Sequence, residues 1–235
     1  MIDIQIPLNN EAKLIEESKR IGIKQVIFLY PFKKKQDLVA QKKKNNSLKG
    51  IKISTGILLK PQAVSEISRF PKSLYFEADF IACQSTSEKV IRAIVSQPKI
   101  DLLVNPETDT GKDHTHYRYS NVNQVIAKLS KENDLAYGVD FHRLLSLDSR
   151  IKLLGRIMQN IRIFQKYKVP LVIASFASKP EDIRNPKDLS ALLRVLGSSY
   201  KESKLAIKQN LLAILERKEQ RRSPEYVRPG VKVVG

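Results

Sequence analysis

Short apolar segments recur along the chain at intervals that suit buried strands. Residues 2–6 alternate apolar and polar positions, and residues 26–30 form a continuous apolar run. Alternation is typical of a strand with one buried face, and a continuous run is typical of a strand in a parallel sheet. The same criteria predict strands at residues 50–59, 74–82, 101–104, 136–141 and 169–174, with a bulge or bend at Gly56.

Segments with helical spacing lie between these strands. Asn9 or Asn10 can cap a first helix that ends at Gly22, and Pro61 suits the first turn of a later one. Ser85 and Glu88 have the spacing of a capping box. The predicted helices then cover residues 35–44, 61–70, 85–95, 121–131, 148–167, 186–196, 200–209 and 211–220, with Val125 and Ile151 among their inward positions.

Strands and helices therefore alternate about seven times, with connections of a few residues. This alternation is typical of βαβ units built around a parallel sheet. For a chain of 235 residues, a closed (β/α) barrel is favoured over an open doubly wound sheet. We predict an α/β protein with one TIM-barrel-like domain over residues 1–235 and an irregular helical C-terminal part.

The composition excludes several classes of protein. Apolar residues make up 42% of the chain, which is enough to bury a core and argues against a disordered protein. Cys83 is the single cysteine, so no intrachain disulfide can form and a reducing, cytoplasmic setting is expected. No apolar run approaches the length of a membrane span, and no signal peptide is recognisable. We therefore expect no membrane partner.

The net charge changes the picture more than the composition does. Lys and Arg number 42 against 24 Asp and Glu, which gives +18. Such an excess favours a polyanionic partner, nucleic acid above all, although a lysine-rich proteome from a hot or AT-rich source is the alternative. Lysines outnumber arginines 28 to 14, which favours phosphate contacts over base reading. Basic clusters occupy residues 33–35, 42–44 and 217–222.

Candidate catalytic groups are few. His114 and His116 have the spacing of a metal-binding pair, with Asp113 beside them, but they fall in the polar stretch 109–120 and no second ligand cluster accompanies them. A solvated or RNA-facing loop is favoured over a metal site. Cys83 has no assignable histidine base, which favours a buried structural role. The sequence thus predicts no catalytic and no metal-binding residue.

Two alternatives remain open at this point. One is a barrel hydrolase acting on a phosphorylated substrate, with Asp3, Asp140 and His114 in its pocket, because barrel enzymes place catalytic groups at strand ends. The other is a free-standing RNA chaperone, which would bind unrelated structured RNAs equally well.

Three phrases of the sequence carry a resemblance to a known family. Ile-Asp-Leu-Leu-Val-Asn-Pro occupies residues 100–106, and Asp-Ile-Arg-Asn-Pro-Lys-Asp-Leu occupies residues 182–189. Pro-Glu-Tyr-Val-Arg-Pro-Gly-Val-Lys-Val-Val occupies residues 224–234. In this order they resemble the archaeal ribonuclease P protein component 3 family, the counterpart of the barrel-like subunit shared by eukaryotic RNase P and RNase MRP. The likeness is strongest over residues 100–234.

The resemblance implies a TIM-barrel-like fold related to the polymerase-and-histidinol-phosphatase metal hydrolases. Those enzymes carry a His-x-His motif at the end of the first strand, where this chain has Asp3-Ile4-Gln5, so the resemblance implies a scaffold that has lost its metals. It further implies an enzyme that removes the 5′ leader of precursor tRNA, with hydrolysis performed by an RNA subunit and Mg²⁺. The chain would brace the catalytic domain of that RNA together with a small α/β protein subunit, with two copies of each as one arrangement. Other RNase P proteins would be present, and precursor tRNA would be contacted indirectly.

Binding residues follow from the predicted fold, because binding sites of parallel barrels lie on the loops that follow strands. The residues predicted to bind RNA are Lys33, Lys34, Lys112, His114, Arg118, Arg143, Lys179 and Arg184, together with Arg92 on a helix. The last two predicted helices are apolar around more than one face, which requires cover on more than one side. Some of their apolar residues must pack inward, and Leu211, Leu212 and Leu215 are predicted to contact the protein partner.

Overall fold

Seven parallel strands follow one another around the molecule in chain order. The computed structural model describes residues 1–70, 72–107, 111–146, 150–222, 226–228 and 231–232. The strands of the main sheet are β1 Ile2–Gln5, β2 Gln25–Pro31, β3 Lys52–Leu59, β4 Phe80–Gln84, β5 Leu102–Val104, β6 Ala136–Asp140 and β7 Leu171–Ala174, and a separate antiparallel pair joins β8 Tyr226–Arg228 to β9 Val231–Lys232.

Helices fill the connections between these strands. They are α1 Glu11–Arg20, α2 Lys35–Ser47, α3 Val64–Ser68, α4 Lys72–Glu77, α5 Glu88–Val95, α6 Gln124–Glu132, α7 Phe141–Ser146, α8 Arg150–Lys166, a 3₁₀ turn at Pro180–Asp182, α9 Pro186–Val195, α10 Tyr200–Lys204, a π-helical segment at Leu205–Gln209, and α11 Asn210–Arg222. The strands are parallel, so all loops that follow strands lie at one end, which we call the carboxyl end of the barrel. The loops that precede strands lie at the opposite, amino end.

The sheet closes on itself between β1 and the residues just after β7. The Phe176 N–H donates to the Ile4 carbonyl over 2.8 Å, and the Ile6 N–H donates to the Ala177 carbonyl over 2.9 Å. These bonds pair Gln5 with Ala177 in the parallel sense. The predicted barrel is therefore confirmed, with seven strands and a short bridge in place of an eighth.

Side chains of each strand alternate between the barrel interior and the helical layer. Ile4, Leu29, Leu58 and Ala82 pack together inside the barrel. Gly56 pairs in register with Leu29 and Phe80, so the predicted bulge is wrong. A Cβ at Gly56 would lie 2.7 Å from Leu29 Cδ2 and 2.9 Å from the Phe80 carbonyl oxygen, so the position needs glycine for close packing.

Helix α11 seals the amino end of the barrel. Leu211, Ile214 and Leu215 are buried among the interior residues. Lys218 follows on the same helix and donates from Nζ to Asp101 Oδ2 over 2.6 Å, and both residues are buried. Burial lowers the pKa of Lys218, against the attraction of the Asp101 carboxylate. An ion pair placed in this way fixes the depth and rotation of the helix.

This packing corrects the prediction of a partner-binding face on α11. Leu211 and Leu215 belong to the barrel core, and Leu212 is partly buried against it. The first two side chains are therefore unavailable to a partner while the barrel is folded. The broad apolar surface of this helix packs against the barrel interior, and this packing accounts for the apolar pattern in its sequence.

The arginines of the C-terminal basic cluster also have structural partners. Arg217 donates to the Asp134 carbonyl over 2.7 Å, and Arg221 donates to the Pro98 carbonyl over 3.3 Å. Arg222 donates to the carbonyls of Tyr75 and Ala78. These carbonyls lie at or just beyond the C-terminal ends of α4, α5 and α6, where helix dipoles favour positive charge. The cluster therefore holds α11 in place.

Several predicted boundaries are wrong for identifiable reasons. The segment 74–82 begins in helix α4 and becomes strand only at Phe80, because a short apolar run fits both structures. The N-cap position of helix α5 is Ser87, which makes no side-chain capping hydrogen bond, so Ser85 and Glu88 do not form a capping box. Pro61 precedes α3, which begins at Val64.

The remaining differences concern helical faces and ends. Val125 is 48% exposed and Ile151 is 88% exposed, although the helical spacing predicts that both face inward. The predicted helices 200–209 and 211–220 form one helical run from Tyr200 to Arg222, interrupted only by the π-helical segment. The predicted start of α8 at Asp148 and most of the phrase at 224–234 lie outside the described residues.

The buried pair predicts a large effect of breaking it on one side. Replacement Lys218→Met leaves the Asp101 carboxylate buried without its counter-charge, and we expect the free energy of unfolding to fall by about 3–5 kcal/mol. The exposed Lys208 on the same helical run offers a matched control, and Lys208→Met should change stability by less than about 0.5 kcal/mol. Urea unfolding measures both. Equal stability of the two variants would contradict a structural role of the pair.

Candidate nucleic-acid interface

The predicted RNA-binding residues lie mostly at the carboxyl end of the barrel. Lys33 and Lys34 follow β2, the group at residues 112–118 follows β5, Arg143 lies in α7 after β6, and residues 179–184 follow β7. In the closed ring, β7 neighbours β1, which neighbours β2. These loops therefore form an arc around one end. Arg92 is exposed on the second turn of α5, on the outer helical layer, and lies outside this arc.

The basic run that follows β2 contains two kinds of lysine. Lys35 pairs with Glu77, Lys42 with Asp79, and Lys44 with Glu11, at N–O distances of 2.6–2.8 Å. The Glu11 carboxylate is buried, which raises its pKa, but the Lys44 hydrogen bond and other bonds outweigh this and the net pKa is lowered. Lys33, Lys34 and Lys43 are exposed and make no ion pair within the described residues, so these three can meet a polyanion.

Arg143 and Arg184 have partners inside the protein. Arg143 donates from Nη2 to the Glu107 carbonyl over 2.8 Å, and its Nη1 lies 3.8 Å from Glu107 Oε2. Arg184 donates to the carbonyls of Glu181 and Ile183, with its guanidinium 5.2 Å from the centre of the Phe141 ring. Both are half-buried. Their positive charge reaches the surface, but their side chains also fix loops.

Glu107 forms a buried polar centre behind the loop that follows β5. Its carboxylate accepts hydrogen bonds from the Tyr137 hydroxyl and from Asn160 Nδ2, the latter over 2.7 Å. Burial raises the pKa of Glu107, against these hydrogen bonds and the charge of Arg143. Tyr137 in turn stacks on Phe164 of α8 at a centroid distance of 4.7 Å. Glu107 thereby joins the barrel wall, the loop and α8.

The loop from residue 111 to 123 is held along helix α8. Arg156, which is fully buried, donates to Asp113 Oδ1 over 2.9 Å and to the Gly111 carbonyl over 3.1 Å. Gln159 bonds both the N–H and the carbonyl of Arg118, at 2.7 and 2.9 Å. The sequence reasoning missed Arg156, Gln159 and Asn160. Their signal was three polar residues at helical spacing on an otherwise apolar face.

The two histidines of this loop have different surroundings. The His114 ring stacks on Tyr117 at 4.3 Å between centroids, and His116 is exposed. Partial burial raises the pKa of Asp113, but the hydrogen bond from the Tyr119 N–H and the contacts with Arg156 and Arg118 outweigh it, and the net pKa is lowered. Among the residues the structure describes, no group of three or more His, Cys, Asp or Glu could hold a metal ion.

The residues of the alternative hydrolase are not brought together. Asp3 faces the helical layer, where Gln5 links it to Ser18 of α1. Asp140 accepts from Asn105 Nδ2 over 2.8 Å and from the Arg143 N–H over 3.0 Å. Burial raises the pKa of both carboxylates. Neither carboxylate contacts His114, so the described residues do not assemble this pocket.

The structure also bears on the predictions about Cys83 and about membrane spans. Cys83 is fully buried on the helical side of β4, and burial raises the pKa of its thiol, as suits a structural cysteine. Among the described helices, none is long and apolar enough to span a bilayer.

The chain is similar to known proteins over most of its length. The sequence profile of the family described as RNase P subunit p30 matches residues 1–223. Ribonuclease P protein component 3 of Methanosarcina mazei is 30% identical over 190 residues, which are 80% of this chain and 75% of that protein. The protein of the same name from Methanocaldococcus jannaschii is 26% identical over 239 residues, covering 99% and 97% of the two chains.

Solved structures share the fold. A chain in the cryo-EM structure of archaeal ribonuclease P with mature tRNA superposes with a TM-score of 0.82 at 23% identity, covering 100% of this chain and 98% of that one. Histidinol phosphate phosphatase from Lactococcus lactis superposes with a TM-score of 0.53 at 11% identity, covering 92% and 93%. This chain and the histidinol phosphate phosphatase therefore share the barrel fold.

The Glu107 centre predicts a measurable pH dependence of stability. A carboxyl group whose pKa is raised by folding contributes stability below its unfolded pKa of about 4.3, and this contribution is lost as the pH rises through the folded pKa. Glu107→Gln removes one such group, so the decline of unfolding free energy with rising pH should become shallower by up to about 1.4 kcal/mol per pH unit in that window. Urea unfolding at several pH values measures this slope.

The control for this prediction is Glu216→Gln, which changes an exposed carboxylate. We expect the pH slope of this variant to equal that of the unchanged protein. An unchanged slope for Glu107→Gln would show that Glu107 titrates alike in the folded and unfolded chain.

Proposed function

The chain belongs to the RNase P subunit p30 family, and from this premise we propose that it is a protein subunit of ribonuclease P. In this role it binds and braces the catalytic domain of the enzyme's RNA, and that RNA removes the 5′ leader of precursor tRNA. The chain contributes to an endonuclease without performing the hydrolysis itself.

A group of exposed lysines at the carboxyl end of the barrel, unpaired within the described chain, is the observation that carries this proposal. At the amino end, the described arginines of α11 are bound to carbonyls and carboxylates of the protein. At the carboxyl end, Lys33, Lys34, Lys112 and Lys179 are exposed and make no ion pair within the described residues. RNA phosphates attract such lysines, and their neutralisation releases condensed counterions. The carboxyl end of the barrel is therefore suited to an RNA backbone.

Bracing follows from the same electrostatics. A folded RNA holds its phosphates close together against their mutual repulsion, and fixed lysines lower that repulsion. Hydrolysis of a phosphodiester needs metal ions and an oriented water, and we assign the Mg²⁺ to the RNA subunit. The protein then lowers the Mg²⁺ concentration that the active RNA fold requires. We place the assembled enzyme in the cytoplasm, a reducing compartment that suits the free Cys83.

The protein partners belong to the proposal as well. We propose that the chain pairs with the small α/β protein subunit of ribonuclease P, in one or two copies of each, beside other proteins of the enzyme. The sheet is enclosed by helices, so a partner must dock on helices or loops. Leu211 and Leu215 do not take part, because they lie in the barrel core.

One test of the proposed function concerns catalysis. The purified chain, incubated with precursor tRNA and Mg²⁺ in the absence of the RNA subunit, should release no 5′ leader. Addition of the RNA subunit and the small protein subunit should restore cleavage at a lower Mg²⁺ concentration than the RNA needs alone. Gel analysis of the leader measures both. Specific cleavage by nuclease-treated chain alone would overturn the assignment of catalysis to RNA.

Another test of the proposed function concerns the exposed lysines at the carboxyl end. The double replacement of Lys33 and Lys34 by Ala should weaken binding to RNase P RNA and reduce the slope of log K against log salt by about one for each phosphate that is no longer neutralised. Filter binding at several salt concentrations measures the slope. The control replaces Lys24 and Lys49, two exposed lysines in loops at the amino end, and removes the same charge. Equal losses of affinity in both variants would contradict a defined RNA-binding end.

A further inference from the structure

A cleft of about 550 Å³ opens between the loop after β5, the start of α6 and the C-terminal half of α8. Its walls carry the rings of His114, Tyr117, Tyr119 and Tyr167. The volume falls within the range of small-ligand sites. Contacts between lysines and the RNA backbone do not involve this cleft. The cleft nevertheless includes part of the loop that carries three of the predicted RNA-binding residues.

The rings are arranged as an open stack. His114 lies parallel to Tyr117 at 4.3 Å and edge-on to Tyr119 at 6.1 Å. Tyr117 is 58% exposed and Tyr119 is 42% exposed. Within the described residues, the side chains of His114 and Tyr117 make no hydrogen bond. Large rings left open in this way offer faces on which unpaired nucleobases stack.

The charges at the cleft suit a phosphate. Arg118 and Lys166 line it and are both exposed. Arg118 Nη1 lies 3.2 Å from Asp113, whose carboxylate is shared with the buried Arg156. The one acidic lining residue, Glu88, accepts a hydrogen bond from Asn123 over 2.7 Å. The net positive charge favours an anionic ligand, and the exposed aromatic rings favour a nucleic acid over an acidic peptide.

The cleft is built on a fixed support. Gln159 bonds the backbone of Arg118 and the Ser120 hydroxyl, and Asn160 bonds the buried Glu107. Gly155 leaves room for the Arg118 guanidinium, since a Cβ there would lie 2.6 Å from Arg118 Cζ. A site whose backbone is already held loses less entropy when a ligand binds.

We propose that this cleft binds one unpaired nucleotide of the RNA, with its base stacked on the His114–Tyr117 pair and its phosphate near Arg118 and Lys166. The proposal rests on the proposed function, because it takes RNase P RNA as the ligand. It adds a stacking contact, specific for single-stranded positions, to a surface otherwise described by charge alone. A side chain of a protein partner is the competing occupant.

The test uses the full chain with RNase P RNA. Tyr117→Ala should weaken binding about 5- to 100-fold, as expected for loss of one base–aromatic stack, without changing the salt slope. Tyr117→Phe keeps the ring and should bind as the unchanged protein does. Tyr200→Ala, which removes an aromatic ring of similar exposure on α10, should also have no effect. His114→Ala provides a second, independent loss of the stack.

Chemical probing of the bound RNA locates the contact. One unpaired nucleotide should be protected by the unchanged protein and by Tyr117→Phe, and become reactive with Tyr117→Ala and with His114→Ala. If both alanine variants bind RNA and protect it as the unchanged protein does, the stacking proposal is wrong while the proposed function stands. If the unchanged protein does not bind RNase P RNA, the proposed function fails. If the alanine variants lose only the small protein subunit, the cleft is a protein-docking site and the proposal is overturned.

Discussion

Closure of a seven-stranded barrel at the Asp3 carboxylate is the constraint on which the rest of the structure depends. Asp3 Oδ1 accepts the Ser175 N–H over 2.8 Å, and its other oxygen accepts the Ser175 hydroxyl and Gln5 Nε2. The next residue, Phe176, has a φ of 49°, which is uncommon for an aromatic residue. Its N–H pairs with Ile4. A buried side chain thus supplies part of the pairing that an eighth strand would make.

Closure determines how the positive charge of the chain is used. The parallel strands of the closed ring place every loop that follows a strand at one end and the C-terminal ends of the covering helices at the other. Helix α11 crosses the second end, where Arg217 and Arg222 meet carbonyl groups and Lys218 meets Asp101. These cations stabilise the fold. The lysines after β2 and β7 lie at the carboxyl end, where they are exposed to solvent and can contact phosphates. The positive charge therefore contributes both to the packing of α11 at the amino end and to an exposed basic surface at the carboxyl end.

The long loop after β5 contains both polar residues that stabilise the fold and polar residues that are exposed for binding. Asn105 and Asn121 have φ values of 50° and 57°, a conformation that asparagine tolerates better than most residues. Buried Arg156 bonds the Asp113 carboxylate and the Gly111 carbonyl of this loop. Tyr137 and Asn160 bond the buried Glu107 carboxylate. These bonds offset the cost of removing the groups from water. A loop held in this way can present exposed rings and cations in one arrangement, as a binding surface requires.

The sequence by itself determined the alternation of strands and helices, the parallel barrel and the excess of positive charge, because periodicity and composition are local properties. It also placed Lys33 and Lys34 correctly on a loop after a strand. Tertiary structure decided what local patterns leave open. The apolar run at 74–82 fits helix and strand alike until its neighbours are known. Leu211 and Leu215 resemble a partner surface until the barrel covers them, and Lys218 resembles a surface cation until Asp101 meets it. Burial and pairing depend on residues distant in sequence, and for that reason only the folded chain separates structural from functional side chains.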